Sequence, residues 1–390
     1  MTYFLLIIIL SLIVFANSLH HTEPSYKKSD NNRLISSLTY YIIIFLIAAV
    51  LGLRGNMDEY SKFYILIPKL SDFISNFSIY GENDRFGDIV DTASIIAYEK
   101  GFFFTFIISL LKSMNLTSQS ILIFFSSTSV LIHGYYFQKF TPYAFIALLF
   151  YVSHEITVKE WISIRQALVS ALILPSIYLI VNRKKFQFYL LWILGVLIQY
   201  INILSIFLIF LNKRYSTKLI LTIFVVALFI HFSDLLKLMI LNDFVINRLP
   251  DFIEKYLIDE VHGKKISIFH LKLFQQILVI SFIMLNHERF NQLSSELKYF
   301  NILFNTYVLG TILMIIFSNY SIFSLRFNGH FYAVEPILIS YLIWYLRPKL
   351  FILIIVILFC LSLSYFNYVY LERVSPYQFL IQINSLFLIK

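Results

Sequence analysis

Residues 162–214 read ISIRQALVSALILPSIYLIVNRKKFQFYLLWILGVLIQYINILSIFLIFLNKR, two apolar stretches parted by Arg183, Lys184 and Lys185 and closed by Lys213 and Arg214. A helix that crosses the hydrocarbon of a bilayer needs about 20 mostly apolar residues, and each stretch is long enough. Similar runs recur along the chain, at 2–18, 34–53, 119–137, 142–158, 217–239, 268–286, 299–317, 331–346 and 349–370. Of the 390 residues, 59% are apolar and 14% charged, against about 25% charged in soluble chains. This balance excludes a soluble globular enzyme and a disordered chain. It predicts an all-α, polytopic integral membrane protein.

Basic residues fall mostly in short clusters between the runs: Lys27, Lys28 and Arg33; Lys139; Arg183 to Lys185; Lys213, Arg214 and Lys218; His287, Arg289 and Lys298; Arg347 and Lys349. Such clusters stay on the cytoplasmic side. Read as a full span, 186–211 would put its two basic ends on opposite sides. Its centre carries Gln199 and Asn202, which are costly in hydrocarbon without partners. The run is therefore expected to be a re-entrant pair of half-helices with its tip near mid-membrane. Residues 102–113 are 12 in number, too few to span, and are expected as a half-embedded helix on the outer side.

About ten full spans remain, with both termini outside and outer loops at 54–118, 240–267 and 318–330. The run Tyr3–Phe15 reads as a retained first helix rather than a removed signal peptide. No internal repeat divides the chain, so 1–390 is expected to form one integral domain.

The residue inventory narrows the chemistry. A single cysteine, Cys360, excludes a disulfide framework, a cysteine-based zinc site and an iron–sulfur cluster. No His/Asp/Glu spacing resembles a zinc or calcium site, and no Gly-x-Ser-x-Gly elbow or Gly-rich phosphate loop is present. Neither a metal nor a cofactor is expected. The net charge of +9 reads as topology signal plus attraction to anionic headgroups, with no nucleic acid as partner.

Polar residues gather at four helix ends on the expected outer face. In LGLRGNMDEYSKFY (51–64), Arg54 and Asp58 are four apart, as are Tyr60 and Tyr64, so each pair shares a face if helical. A headgroup arginine neutralised by an aspartate is the plainer reading. In YEKGFFF (98–104), Glu99 opens the short helix, a place that helix electrostatics also favours. In KEWISIRQALVSA (159–171), Arg165 and Gln166 enter an otherwise apolar helix, suited to an anionic headgroup or a diphosphate, although Arg165 can also snorkel outward. In SIFSLRFNGHFYAVEP (321–336), Arg326 and His330 are one turn apart if helical, and Glu335 stands inside the next run beside Pro336. Glu335 should face protein or water, as a structural partner or a catalytic group. His231, Asp234 and Lys237 read as an interface ion cluster. Three arginines from three outer helix ends, Arg54, Arg165 and Arg326, imply a polyanion there, most economically a lipid diphosphate.

GLRGNMDEYSKFY resembles the GLR-x-x-x-x-D-x-x-Y signature of the EpsG-like family of polysaccharide repeat-unit polymerases, within the broader Wzy group. EKGFFF resembles that family's Glu-Pro-Gly/aromatic element with Lys100 in place of Pro, SIRQALVSALIL its Arg-Gln helix start, LRFNGHFY its later Arg-Phe element, and SPYQFL (375–380) its Pro-Tyr element in the tail. The elements follow the family's order across nearly the whole chain. Two features depart from it: Gln199 and Tyr200 stand where the family usually has a His, and the loop between Tyr64 and Glu99 is longer.

The resemblance implies a membrane glycosyltransferase of the GT-C type on the outer face of the bacterial inner membrane. It would join oligosaccharide units carried on undecaprenyl diphosphate, without a metal, into O-antigen, capsule or exopolysaccharide. A hydroxyl of the incoming unit would attack the anomeric carbon of the growing chain, and the lipid diphosphate would leave. Arg165 and Arg326 would hold diphosphate, Arg54 would stand beside them or orient Asp58, and Asp58 or Glu99 would serve as base. Tyr60, Tyr64, Gln166, His330 and Glu335 complete the expected substrate-binding set. A chain-length regulator and a flippase of the same pathway are the expected partners besides lipid. A flippase or transporter of the same units, or an O-antigen ligase, is the alternative. A flippase predicts repeated halves and midplane charges, whereas the candidate charges here lie at one side.

Overall fold

The structure is a computed structural model that describes residues 11, 13, 30–52, 67, 69, 101–156, 163–235, 265–267, 270–286, 288, 290, 292, 297–346 and 350–374. Its helices are α1 (Asp30–Gly52), α2 (Phe102–Ser113), α3 (Ser118–Phe140), α4 (Ala144–Phe150), α5 (Ile164–Ala171), α6 (Ile173–Val181), α7 (Lys185–Ile198), α8 (Leu208–Leu211), α9 (Thr217–Phe232), α10 (Leu271–Leu285), α11 (Phe300–Ile316), α12 (Ser321–Phe331), α13 (Glu335–Tyr345) and α14 (Leu350–Val374). A π-helical turn, Tyr151–Glu155, follows α4, and tighter 3-10 turns occupy Tyr200–Phe207 and Tyr332–Val334. Every regular element among the described residues is helical.

Two helices among the described residues, Gln119–Phe140 and Ile164–Val181, are both long and apolar enough to cross a bilayer, and other apolar helices have 10–17 residues. Helix length thus accounts for two of the ten expected crossings. Surface chemistry adds a second indication. On α1, Tyr40, Ile44, Ile47, Ala48 and Leu51 are buried, yet the opposite face is apolar as well, with Phe45 69% exposed. The same holds for Val225 and Phe229 of α9 and for Phe351 and Phe366 of α14. Helices apolar all round, with one face uncovered, suit hydrocarbon rather than water. The chain is built as a membrane protein.

The chain forms two compact units: Met1–Ala171 with Leu197–Gln199 and Ile339–Lys390, and Leu172–Val196 with Tyr200–Leu338. In the first, α1 lies along α3. Tyr40 Oη donates to the Gly134 carbonyl at 2.9 Å, and Gly134 admits Ile44, whose Cδ1 would stand 2.3 Å from a Cβ at that position. α14 packs on the π turn, where Asn367 Nδ2 donates to the Ser153 carbonyl at 3.0 Å.

Prolines explain two helix breaks. α5 ends at Ala171 because Pro175, four residues on, has no N–H for that carbonyl. Ser176 Oγ then caps the Leu172 carbonyl at 2.7 Å. Likewise Pro336 cannot bond the Tyr332 carbonyl, so the run 331–346 tightens into the 3-10 turn and restarts at Glu335. A proline in the first turn of a helix costs nothing.

In the second unit the residues of the run 186–211 on either side of Leu197–Gln199 approach each other. Trp192 Nε1 donates to the Ile203 carbonyl at 3.3 Å, and Asn202 Nδ2 donates to the Trp192 carbonyl at 3.0 Å. Eleven residues of straight helix would hold these groups about 16 Å apart. Gly195 permits the approach, since a Cβ there would lie 2.2 Å from Asn202 Nδ2. Asn202 therefore folds against the first limb, and the second limb is a 3-10 turn, Tyr200–Phe207, leading into α8.

Candidate functional site

In the first unit, Arg165 is the second residue of α5 and is half-buried. Its guanidinium stands 5.5 Å from the ring centroid of Phe104, a cation–π contact. Phe104 lies in the first turn of α2, whose N-cap, Gly101, has φ +92°. A Cβ at Gly101 would fall 2.2 Å from the Ile198 carbonyl oxygen, so the tip of the folded-back run rests against the start of α2. Thr105 Oγ1 donates to the Gly101 carbonyl at 3.0 Å and holds that start in place. Three stretches singled out by sequence, Gly101 with its aromatics, Arg165 with Gln166, and the tip at Leu197–Gln199, thus meet in one unit. At that tip Gln199 Oε1 is buried and has no hydrogen-bond partner among the described residues. A cation and an open acceptor beside a close backbone contact can hold an anionic, hydroxyl-bearing ligand.

Arg326, His330 and Glu335 belong to the second unit. α12 is helical through Phe331, so Arg326 and His330 are one turn apart, with Arg326 exposed and His330 fully buried. His330 Nε2 lies 2.8 Å from Ser205 Oγ, and Ser205 Oγ lies 2.8 Å from Asn202 Oδ1. Asn202 spends its amide N–H on the Trp192 carbonyl, so its Oδ1 must accept the only hydroxyl proton of Ser205. His330 then donates from Nε2, and Nδ1 is the ring's acceptor. The chain of bonds ties α12 to the folded-back run within the unit.

Glu335 is fully buried in the first turn of α13, where the helix N-terminus favours a carboxylate. Its Oε1 accepts from Tyr307 Oη at 2.6 Å and from Gln275 Nε2 at 3.2 Å. Next to Gln275, Gln276 exchanges two amide bonds with Asn328 at 3.1 and 2.9 Å, and Lys272 Nζ sits 4.1 Å from the Tyr332 ring centroid. α10 therefore lies in register along the α12–α13 turn, with 272 beside 332, 275 beside 335 and 276 beside 328.

Replacing Glu335 with Ala strips Tyr307 and Gln275 of their acceptor and opens a cavity. A loss of about 2–4 kcal/mol in stability is expected. Glu335→Gln keeps an acceptor oxygen and is expected to stay within about 1 kcal/mol of the parent. Thermal melts of the detergent-solubilised variants check both, and equal melting of Glu335→Ala and the parent would contradict the packing.

Arg54, Asp58, Tyr60, Tyr64, Glu99 and Lys237 lie outside the described residues, as do the Pro-Tyr element of the tail and the run 2–18. Sequence reasoning passed over Tyr307, Gln275, Lys272, Ser205 and Asn328, and over His133, which is buried in the first unit and stacked on Tyr151 at 4.4 Å. The adjacent Gln275 and Gln276 inside an apolar run are the signal that could have found the α10 face. Asp234 pairs with Lys265 at 3.2 Å, both half-exposed, and accepts from Asn319 Nδ2 at 3.0 Å. His231 bonds to Ser318 Oγ. Among the described residues, no three His, Cys, Asp or Glu side chains gather to hold a metal ion.

The model of the EpsG family matches residues 37–379. No curated protein and no solved structure matches the chain.

Proposed function

The chain belongs to the EpsG family, and on that premise we propose that it is a membrane polymerase of polysaccharide repeat units. It acts on oligosaccharides carried by undecaprenyl diphosphate at the outer face of the bacterial inner membrane, in a GT-C-like body of about ten spans with both termini outside. A hydroxyl of the incoming unit attacks the anomeric carbon of the growing chain. The new glycosidic bond forms as the bond to the lipid diphosphate breaks, and the hydroxyl proton passes to a carboxylate, Asp58 or Glu99.

The observation that carries this reading is the grouping of Arg165, Phe104, Gly101 and the tip at Ile198. A polymerase must stabilise a departing diphosphate, and a guanidinium fixed over an aromatic ring can do so without a metal. Gln166 stands beside Arg165 for the sugar or phosphate oxygens, and Arg54 and the exposed Arg326 of the second unit are the other cations proposed to bind diphosphate. Tyr60 and Tyr64 contribute to sugar binding. His330 and Glu335, both buried, hold α12 and α13 so that Arg326 faces the substrate. Product class, whether O-antigen, capsule or exopolysaccharide, follows from the host's lipid-linked unit, and a flippase and a chain-length regulator are the natural partners.

Deleting the gene in its native host tests the reading. Single repeat units are expected to persist on the lipid carrier or its acceptor while long surface chains disappear from a glycan gel. Accumulation of units on the inner leaflet would identify a flippase instead, and unaltered chain lengths would exclude both.

A further inference from the structure

We propose that the corner between α11 and α12 binds the hydroxyl groups of a neutral sugar, an assignment that rests on the polymerase reading above. Three pieces of the second unit meet there: the end of α9 at His231 and Asp234, the segment 265–267, and the corner residues Ser318, Asn319 and Tyr320. The Ile266 N–H donates to the Ser318 carbonyl at 2.7 Å. Ser318 Oγ donates to the Ile315 carbonyl at 2.6 Å and bonds with His231 Nδ1. Asn319 Nδ2 and Lys265 Nζ both reach Asp234 Oδ1, at 3.0 and 3.2 Å. Asp234 itself is held at φ +49°, the left-handed region that aspartate tolerates better than most residues.

Two polar atoms are left over in this otherwise satisfied corner. Asn319 Oδ1 and Tyr320 Oη are buried and have no hydrogen-bond partner in the described protein, on residues 6% and 3% exposed. Buried polar side-chain atoms are hydrogen-bonded in the large majority of cases, and each exception calls for an explanation. The chemistry of the pair selects its ligand. An amide oxygen only accepts, whereas a phenol both donates and accepts. An anion would oppose Asn319 Oδ1 and the Asp234 carboxylate. A metal ion at Asp234 would face the Lys265 ammonium, which stands 3.2 Å from Oδ1. A sugar hydroxyl can donate to Asn319 Oδ1, and a neighbouring one can accept from Tyr320 Oη. Arg326 lies six residues beyond Tyr320, about 9 Å along α12, so a lipid-linked sugar can engage the corner while its diphosphate engages the arginine.

Tyr320→Phe is the informative variant, because it deletes a hydroxyl that has no hydrogen-bond partner among the described residues. The probes are a one-repeat oligosaccharide freed of lipid from the native host, and undecaprenyl diphosphate without sugar, each titrated against the full-length protein in nanodiscs. Tyr320→Phe is expected to melt no lower than the parent, to bind the oligosaccharide about tenfold more weakly, and to bind undecaprenyl diphosphate unchanged. Unchanged oligosaccharide affinity would overturn the assignment and leave Asn319 Oδ1 and Tyr320 Oη to ordered water. Equal weakening of both probes would overturn it as well, by showing a general disturbance. A parent protein that binds no oligosaccharide would overturn the polymerase reading itself, an outcome distinct from failure of the corner alone.

Discussion

Arg165→Ala is expected to abolish long glycan chains in a producing host while single repeat units continue to accumulate. Removing one preorganised charge from a site of developing negative charge typically costs about 10²–10³ in rate. A polymerisation competing with ligation and turnover of the carrier would not survive a loss of that size. Arg165→Lys separates charge from shape. It keeps a cation over Phe104 but loses the planar fork that pairs with phosphate oxygens, so shortened chains of intermediate length are expected. Misfolding is a poor explanation for loss of activity at this position. The side chain is half-buried at the start of α5, and a cation–π contact with Phe104 contributes only about 0.5–1 kcal/mol at exposed sites. Immunoblots of the membrane fraction should therefore show near-normal protein. Parental chain lengths in Arg165→Ala would remove the arginine from the mechanism.

What was legible in the sequence follows from which signals are local. Pro175 and Pro336 carry a local signal in the N–H that they lack, yet the runs that hold them read as continuous spans, and the structure breaks both one turn upstream. The fold-back at 186–211 was legible because Gln199 and Asn202 conflict with the surrounding apolar run, and the structure resolves Asn202 by a bond to its own limb at 3.0 Å. The partners of Glu335 were not legible. Its acceptor oxygen is met by Tyr307 and Gln275, 28 and 60 residues away, and one tyrosine among 27 carries no local mark. His133 was hidden by the opposite effect. A histidine inside an apolar run reads as part of a span, although its ring is fully buried against Tyr151. Helix length misled in a third way. The run 142–158 looks continuous, yet its described helix covers Ala144–Glu155, 12 residues, with its last five wound as a π turn. Apolar composition reports which residues avoid water, and only backbone geometry reports where a helix stops.

Gly101→Val is expected to damage both stability and activity more than any other single change in α2. The position is strained twice for an L side chain. Its φ of +92° lies where only glycine is comfortable, and its Cβ would meet the Ile198 carbonyl oxygen at 2.2 Å and the Leu197 carbonyl oxygen at 3.1 Å. Both obstacles are backbone atoms at a tip, so no rotamer change relieves them. Strain and overpacking together are expected to cost roughly 2–6 kcal/mol, which would lower the melting temperature in detergent and shorten or abolish surface chains. Gly101→Ala should show the same effects in smaller measure, since its Cβ occupies the same point. Met114→Ala, at the other end of the helix and 65% exposed, is expected to leave both readouts unchanged. The comparison reaches beyond one glycine. If Gly101→Val melted and polymerised like the parent, the tip at Leu197–Gln199 would not press on the start of α2. Arg165 would then share Phe104 alone, without the close backbone contact that makes the first unit a candidate site.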